Sequence, residues 1–503
     1  LINFQVKDPS LSDKSSRSLL RRLGGGTFNY GLGRILPQVI SFLLIPLYTI
    51  YLSPKDYGVV ELTTVLCGFL IIMMRLGVPG SVTRFYYDHR EGADLRDYVT
   101  TVARFMILSS VGIGVLTLLA TWFFGKVLVP GLPFYPFVLL AVAGSLVASN
   151  SDLQRRLIEA REQSGYSARL SIVFSLADIA LTLILVIVFK LGVVGIVLSQ
   201  VIVDIVFFFQ ARHYLKPDLE GTFRWEMLRP SLIYAAGILP SHFMGTVAPL
   251  ITRFFLAGAN SLAAVGILAI ASRVTLPLFI LLTAFNSAYL PVYFSVRKEG
   301  TPESLTRLAV TARNVWSLAV AAALVVSLVG PPVILLVTNE RYHPAAQLLP
   351  ILTLGFLGQT LYTLLGSEIF YSKKTWLVPF VSGASILATV AVTILTAKRF
   401  GAQGVAWATA GGLMASALVA ICFSVRLVRL PLDWTSLGRT AVFGGALFIG
   451  ARVVAGGNTW AQAGVGLCAV AIFPLLLWLS SDPTIREALL ILRLQLSIRR
   501  RAV

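Results

Sequence analysis

Residues 28 to 58 read FNYGLGRILPQVISFLLIPLYTIYLSPKDYG, and residues 236 to 266 read AGILPSHFMGTVAPLITRFFLAGANSLAAVG. The second stretch repeats the landmarks of the first. Ile35-Leu36-Pro37 matches Ile238-Leu239-Pro240, and Pro46 matches Pro249 with the same nine-residue step between prolines. Gly58 then matches Gly266 after a short insertion. Each copy reads as a helical hairpin: a long apolar run with two prolines, a small polar break and a second apolar run. Runs of about 20 apolar residues suffice to cross a hydrocarbon core of roughly 30 Å. A proline inside such a helix strips a carbonyl of its donor, which lipid cannot replace, so other helices or a wet cavity must take that carbonyl over. Pro37, Pro46, Pro240 and Pro249 are therefore candidate hinges, or else kinks in packing helices.

Composition gives the same class. The chain of 503 residues is 56% hydrophobic and 13% charged, with a mean hydropathy of +0.81, and a soluble domain would carry about twice that charge. The net charge of +19 would suggest nucleic acid in a soluble protein, but here the basic residues must first be placed against a membrane. Cys67, Cys422 and Cys468 fall far apart in apolar runs, so neither a disulfide framework nor a metal site is expected. No cofactor is expected either. Residues 1 to 27 are polar and basic without an apolar core, which reads as a lead-in and not as a cleavable leader.

Apolar run length and breakers predict an all-α polytopic membrane protein with about fourteen spans, among them 55 to 77, 133 to 153, 168 to 189, 376 to 397 and 403 to 425. With the N-terminus in the cytoplasm, inside segments hold about thirty Lys and Arg and outside loops about seven, which predicts both termini inside. Arg155, Arg156, Arg161 and Arg169 are read as one inside loop. Leu191-Gly192-Val193-Val194-Gly195 resembles Phe400-Gly401-Ala402-Gln403-Gly404, so the repeat extends over six spans per copy. An even number of spans gives two lobes of the same orientation, related about the membrane normal. The expected organisation is a lead-in (1 to 27), an N-lobe (28 to 214), an inter-lobe linker (215 to 229), a C-lobe (230 to 430), two extra helices (431 to 482) and a basic tail (483 to 503).

Charged residues inside spans are candidate functional groups, because lipid makes them expensive. The arginines are Arg34, Arg75, Arg104, Arg253 and Arg273, and the acids are Glu61, Asp178, Asp204 and Glu368. Arg273 lies too deep to reach the interface easily, while Arg75 and Arg104 sit near span ends where snorkelling is cheap. The acids are candidates for proton or sodium coupling or for structural pairing. His242 could titrate near neutral pH or sit bonded in a core. Tyr48, Tyr289 and Tyr362 could stack on sugars or anchor at an interface.

Several fragments then carry a family resemblance: Pro46-Leu47-Tyr48, Leu52-Ser53-Pro54-Lys55-Asp56-Tyr57-Gly58, Arg75-Leu76-Gly77-Val78-Pro79, Arg84-Phe85-Tyr86, Thr283-Ala284-Phe285-Asn286 with Pro291, and Ser372-Lys373-Lys374-Thr375. In order and spacing they resemble the Wzx-type lipid-linked oligosaccharide flippases of the multidrug/oligosaccharidyl-lipid/polysaccharide exporter (MOP) superfamily. The resemblance implies two MATE-like six-helix lobes around a cavity, with two helices outside. It also implies an undecaprenyl-pyrophosphate-linked oligosaccharide as substrate, the bacterial cytoplasmic (inner) membrane as location, and polysaccharide polymerase or assembly proteins as partners, with no nucleic acid. Relatives often carry an acid before the span-seven arginine, where this chain has Thr252 before Arg253. A diphosphate crossing lipid needs positive charge, and arginine grips phosphate in two-pronged fashion. Arg273, Arg253, Arg34 and Arg75 are therefore the expected substrate-binding residues. The alternatives are a lipid II flippase, a multidrug/cation antiporter of the same superfamily, whose cavity should favour acids over arginines, and a membrane-embedded glycosyltransferase, for which the short outside loops offer no paired carboxylates.

Overall fold

The computed structural model describes residue 42 and residues 44–89, 92–428, 431–456 and 458–479. The lead-in, Arg34, Pro37 and the basic tail lie outside the described residues, as do the side chains of Pro240 and His242. Every regular element among the described residues is helical. Eleven of these helices are long and apolar enough to cross a membrane. Contacts divide the chain into two compact units, one containing Thr63–Phe243 and the other containing Ile45–Leu62 with the chain from Met244 onward.

The second unit begins with the opening hairpin. Helix α1 covers Ile45–Tyr51 and α2 covers Pro54–Arg75. The sequence of the break explains where α2 starts. Ser53 Oγ and the Asp56 carboxylate form a reciprocal capping box: Asp56 N–H donates to Ser53 Oγ at 3.2 Å, and Ser53 N–H donates to Asp56 at 3.0 Å. Pro54 fills the first helical position, where its missing N–H costs nothing. The repeated copy is built alike. Helix α8 covers Trp225–Ala259, α9 covers Leu262–Glu299, and Ser261 caps α9 by accepting the Ala264 N–H at 3.1 Å.

Matched positions of the two copies share roles. Thr49 donates to the Pro46 carbonyl at 3.0 Å, and Thr252 donates to the Pro249 carbonyl at 3.1 Å, so each hydroxyl satisfies an acceptor three residues back. Gly58 of α2 and Gly266 of α9 meet at one crossing. A Cβ on Gly58 would run into the Leu262 carbonyl, and a Cβ on Gly266 would run into the Pro54 carbonyl. Each intruded carbonyl lies four residues before the other glycine, so the contact is reciprocal. Two helices come this close only where side chains are absent.

The remaining helices of this unit are α10 (Pro302–Val337), α11 (Leu349–Tyr371), α12 (Val378–Leu427), α13 (Trp434–Val454) and α14 (Thr459–Leu479). Helix α12 is a hairpin. Gly401 interrupts it at φ 53°, a conformation open to glycine. Positions 404 and 412 then fold back on Thr396 and on Ser385 and Thr389. This glycine lies in the break expected between spans 376 to 397 and 403 to 425. The matched glycine of the first unit, Gly192, has φ 54°, and Gly195 abuts Leu185 as Gly404 abuts Thr396. Helices α13 and α14 pack on α10: Trp316 Nε1 donates to the Leu437 carbonyl at 3.0 Å, and Gly444 and Gly466 make room for Val320 and Leu328. Asp433 caps α13, and the Thr435 hydroxyl and Ser436 N–H hold its carboxyl below the usual carboxylate range.

The first unit holds α2 from Thr63 onward, α3 (Val78–Phe85), α4 (Gly92–Leu128), α5 (Leu139–Ala160), α6 (Ser164–Leu183), α7 (Gly192–Leu215) and the first part of α8. Its core gathers Val78, Val82, Tyr98, Val102, Met106, Leu153 and Leu157, with Tyr98 hydrogen-bonded to Ser231 at 3.1 Å. Helix α5 runs on to Ala160, so Arg155 and Arg156 are helical and do not belong to a loop, which corrects the expectation for this segment. Long basic side chains can lay their stems along such a terminal turn. Residues 221–224 are tied to α4 within the first unit. Asp97 accepts from the Thr222 N–H at 2.7 Å and pairs with Arg224 at 2.7 Å, while the Gly221 N–H donates to Thr100 at 3.1 Å.

Candidate functional site

The capping box fixes the first turns of α2 and thereby places Tyr57 and Glu61, one turn apart, on that helix. Arg253 approaches from α8 and Arg273 from α9. Arg253 Nε donates to Glu61 Oε1 at 3.1 Å, and its other arm reaches Thr252 Oγ1 at 3.5 Å. The acid missing before Arg253 in the sequence is thus supplied from α2. Arg273 lies over the ring of Tyr57, its guanidinium carbon 5.5 Å from the centroid, where the ring's negative face attracts it. Tyr57 in turn packs against Tyr48 and Tyr342, and Tyr342 donates to the Leu52 carbonyl at 3.1 Å. Glu61 is the carboxylate that bears on both arginines. The Tyr57 hydroxyl is buried with no hydrogen-bond partner among the described residues, so a donor is left available beside the Arg273 guanidinium.

These groups lie well inside their helices. Glu61 is seven residues into α2 and Arg273 eleven residues into α9, which at 1.5 Å per residue is roughly 10 Å and 16 Å from the helix starts. A cation cluster at that depth can favour an anion that lipid would exclude.

Arg75 is placed elsewhere. It closes α2, where its guanidinium pairs with Asp152 of α5 at 3.4 Å and donates to the Ala148 carbonyl at 3.3 Å. Asp152 also holds Arg156 at 3.6 Å. Arg75 therefore ties α2 to α5 in the first unit, apart from Arg253 and Arg273.

The acids separate into three environments. Glu61 is the partner of Arg253. Glu368 of α11 is buried and saturated: it accepts from the Tyr293 hydroxyl at 2.7 Å, from Arg297 Nε at 3.1 Å and from the Ser372 hydroxyl at 2.9 Å. Asp178 and Asp204 line a cavity of about 540 Å³ in the first unit, together with Arg155, Gln200 and Cys67. There Asp178 accepts from Ser199 at 3.2 Å, and Ser199 is linked to Thr182 at 2.6 Å. Arg155 reaches over Phe207 with its guanidinium carbon 5.0 Å from the ring centroid. The sequence reading missed Arg155 as a site residue because it ended the span at 153. The signal that could have found it is its spacing of three from Asp152, which keeps both on one face of a continuing helix.

The aromatic candidates also part. Tyr48 belongs to the Tyr57 group. Tyr289 is buried in the core, stacked on Phe285 at 5.1 Å. Tyr362 lines a second cavity, within the second unit.

Comparison with known proteins follows the same line. A search of curated proteins finds no match. Among solved structures, the lipid II flippase MurJ in an inward closed conformation matches with a TM-score of 0.70 at 14% identity, covering 90% of this chain and 99% of that one. An inward-facing multidrug resistance MATE family transporter of the MOP superfamily matches with a TM-score of 0.63 at 15% identity, covering 82% and 99%. The MATE transporter VcmN of Vibrio cholerae matches at 0.55 and 17% identity, covering 83% and 99%. At such identities these likenesses bear on the fold. The family model for polysaccharide biosynthesis proteins matches residues 23–297, more than half of the sequence. The chain therefore belongs to the polysaccharide biosynthesis protein family.

Proposed function

We propose that the protein turns an undecaprenyl-pyrophosphate-linked oligosaccharide from the inner to the outer leaflet of the bacterial cytoplasmic membrane, for the export of a surface polysaccharide such as O-antigen, capsule or exopolysaccharide. The carrying observation is the Arg253, Arg273, Glu61 and Tyr57 cluster. A diphosphate in hydrocarbon costs many kcal/mol unless cations meet it, and the guanidiniums of Arg253 and Arg273 are cations of the kind that grip phosphate in two-pronged fashion. The polyprenyl tail stays in lipid while head and sugars cross a wet path by alternating access. Both termini face the cytoplasm, where the excess of Lys and Arg lies. Membrane lipids, and the polymerase and assembly proteins that use the flipped unit, are the partners.

The test is binding of purified protein to an undecaprenyl-pyrophosphate sugar and, in parallel, to a cationic dye. We expect tight binding of the lipid, weakened at least tenfold by Arg253→Ala with Arg273→Ala, because each lost charge-assisted bond is worth about 1.5–3 kcal/mol. Dye binding without lipid binding would move the reading to a multidrug/cation antiporter. A lipid II flippase shares the diphosphate chemistry, and the likeness to MurJ favours it as second reading. Preference among sugar heads on a common diphosphate carrier separates the two.

Asp178 and Asp204 are proposed to couple flipping to a proton or sodium gradient, since paired carboxylates in a hydroxyl-lined cavity can exchange either ion. In proteoliposomes, Asp178→Asn with Asp204→Asn should lower the acceleration by an imposed gradient about tenfold or more while lipid affinity stays native. A native gradient response in that variant would remove these residues from coupling.

A further inference from the structure

The cavity beside Tyr362 differs in kind from the charged ones. It has a volume of about 350 Å³, within the range of ligand pockets, and lies between α9 and α11 in the second unit. Two stripes at helical spacing line it: Thr283 and Asn286 on α9, and Gln359, Thr363 and Ser367 on α11, with Tyr362 alongside. No Asp, Glu, Lys, Arg or His is among its lining residues, counted over the described residues. The nearest carboxylate in sequence, Glu368, is already consumed by Tyr293, Arg297 and Ser372.

The polar groups are arranged to serve something other than the protein. Thr283, Thr363 and Ser367 donate their hydroxyl protons to their own helices, to the carbonyls of Phe279, Gln359 and Thr363 at 2.8, 2.9 and 2.9 Å. Their remaining lone pairs accept. The side-chain amides of Asn286 and Gln359 have no protein partner among the described residues, and each offers two donors and an acceptor. The Tyr362 ring lies on Gly366, whose added Cβ would come within 3.2 Å of it, so the ring is held flat against its helix. An aromatic face flanked by planar amides and acceptor hydroxyls, without charge, suits a ring of alternating C–H faces and hydroxyls. An anion would be stranded there without a cation, and an organic cation without a carboxylate.

We propose that this cavity binds a neutral sugar residue of the lipid-linked substrate, with Asn286 and Gln359 bonding its hydroxyls and Tyr362 stacking on its face. The inference rests on the flippase reading given above, and it assigns the sugar to a place distinct from that of the diphosphate.

The experiment measures binding by the full protein in nanodiscs of two probes: undecaprenyl diphosphate alone and undecaprenyl diphosphate carrying a neutral hexose. In the native protein the hexose should tighten binding about tenfold, the scale set by one or two matched hydroxyl contacts. In Asn286→Leu and in Gln359→Leu that gain should fall below about twofold, with the bare lipid bound as tightly as by native protein, which also shows that the variants fold. Tyr362→Phe should keep most of the gain and Tyr362→Ala should lose it. A full gain in both amide variants would overturn the assignment, leaving a water-filled cavity, while the flippase reading stands. Failure of native protein to bind either lipid would overturn the flippase reading and the sugar assignment with it.

Discussion

Replacing Glu368 with alanine should cost about 3–5 kcal/mol of stability, the loss that follows when one member of a buried ion pair is removed and the other is left behind. Glu368 is 1% exposed and accepts three donors from three directions. Without it, Arg297 keeps its place over the Tyr371 ring at 5.2 Å but loses its counter-charge, and the Tyr293 hydroxyl loses its acceptor. Glu368→Gln retains an acceptor oxygen and should fall between native and alanine. The measurement is unfolding of the purified protein in detergent, read by tryptophan fluorescence. Because Glu368 is an intramembrane acid, a coupling role is the competing account. Stability within about 1 kcal/mol of native together with a lost response to an ion gradient would decide for coupling.

The second large effect is expected at the helix crossing. Gly266→Ala should cost about 1–3 kcal/mol or more, the penalty of overpacking a site that cannot relax. The atoms in the way are the Pro54 carbonyl and the Gly58 nitrogen, which are backbone and cannot rotate aside as a side chain could. Helices α2 and α9 would have to separate, and the shift would reach Tyr57, next to Gly58 in α2, and Arg273, two turns beyond Gly266 in α9. Gly266→Ala should therefore weaken lipid binding as well as stability. Gly237→Ala serves as control, since a Cβ there meets open space. Equal behaviour of the two variants would argue against a crossing held at backbone contact.

Much of the fold was legible because its signals are local. Apolar length marked the spans, and Gly401, at a break between two apolar runs, marked the turn of a hairpin. The matched pairs Pro46 and Pro249, Gly58 and Gly266, and Gly192 and Gly401 showed the repeat, and the structure gives each glycine pair a shared geometry. The site was legible only as a set of expensive residues. That Arg253 meets Glu61, 192 residues earlier in the chain, or that Arg75 meets Asp152, depends on which helices touch and at what rotation. A spanning helix is apolar on most sides, so it carries no stripe from which that rotation can be read. The end of α5 was misjudged for a related reason: arginine at a membrane boundary can be a loop or the last turns of a helix whose charged ends reach a cavity.

The reciprocal seating of Gly58 and Gly266 bears on how substitutions combine. If either alanine alone forces α2 and α9 apart, the gap it opens already holds the second, so the pair should cost far less than the sum of the singles. The coupling energy of the double-mutant cycle should then be large for neighbours in contact, about 1–3 kcal/mol. Across this point the two matching segments constrain one another directly, and a chain with one glycine enlarged would tolerate enlargement of the other.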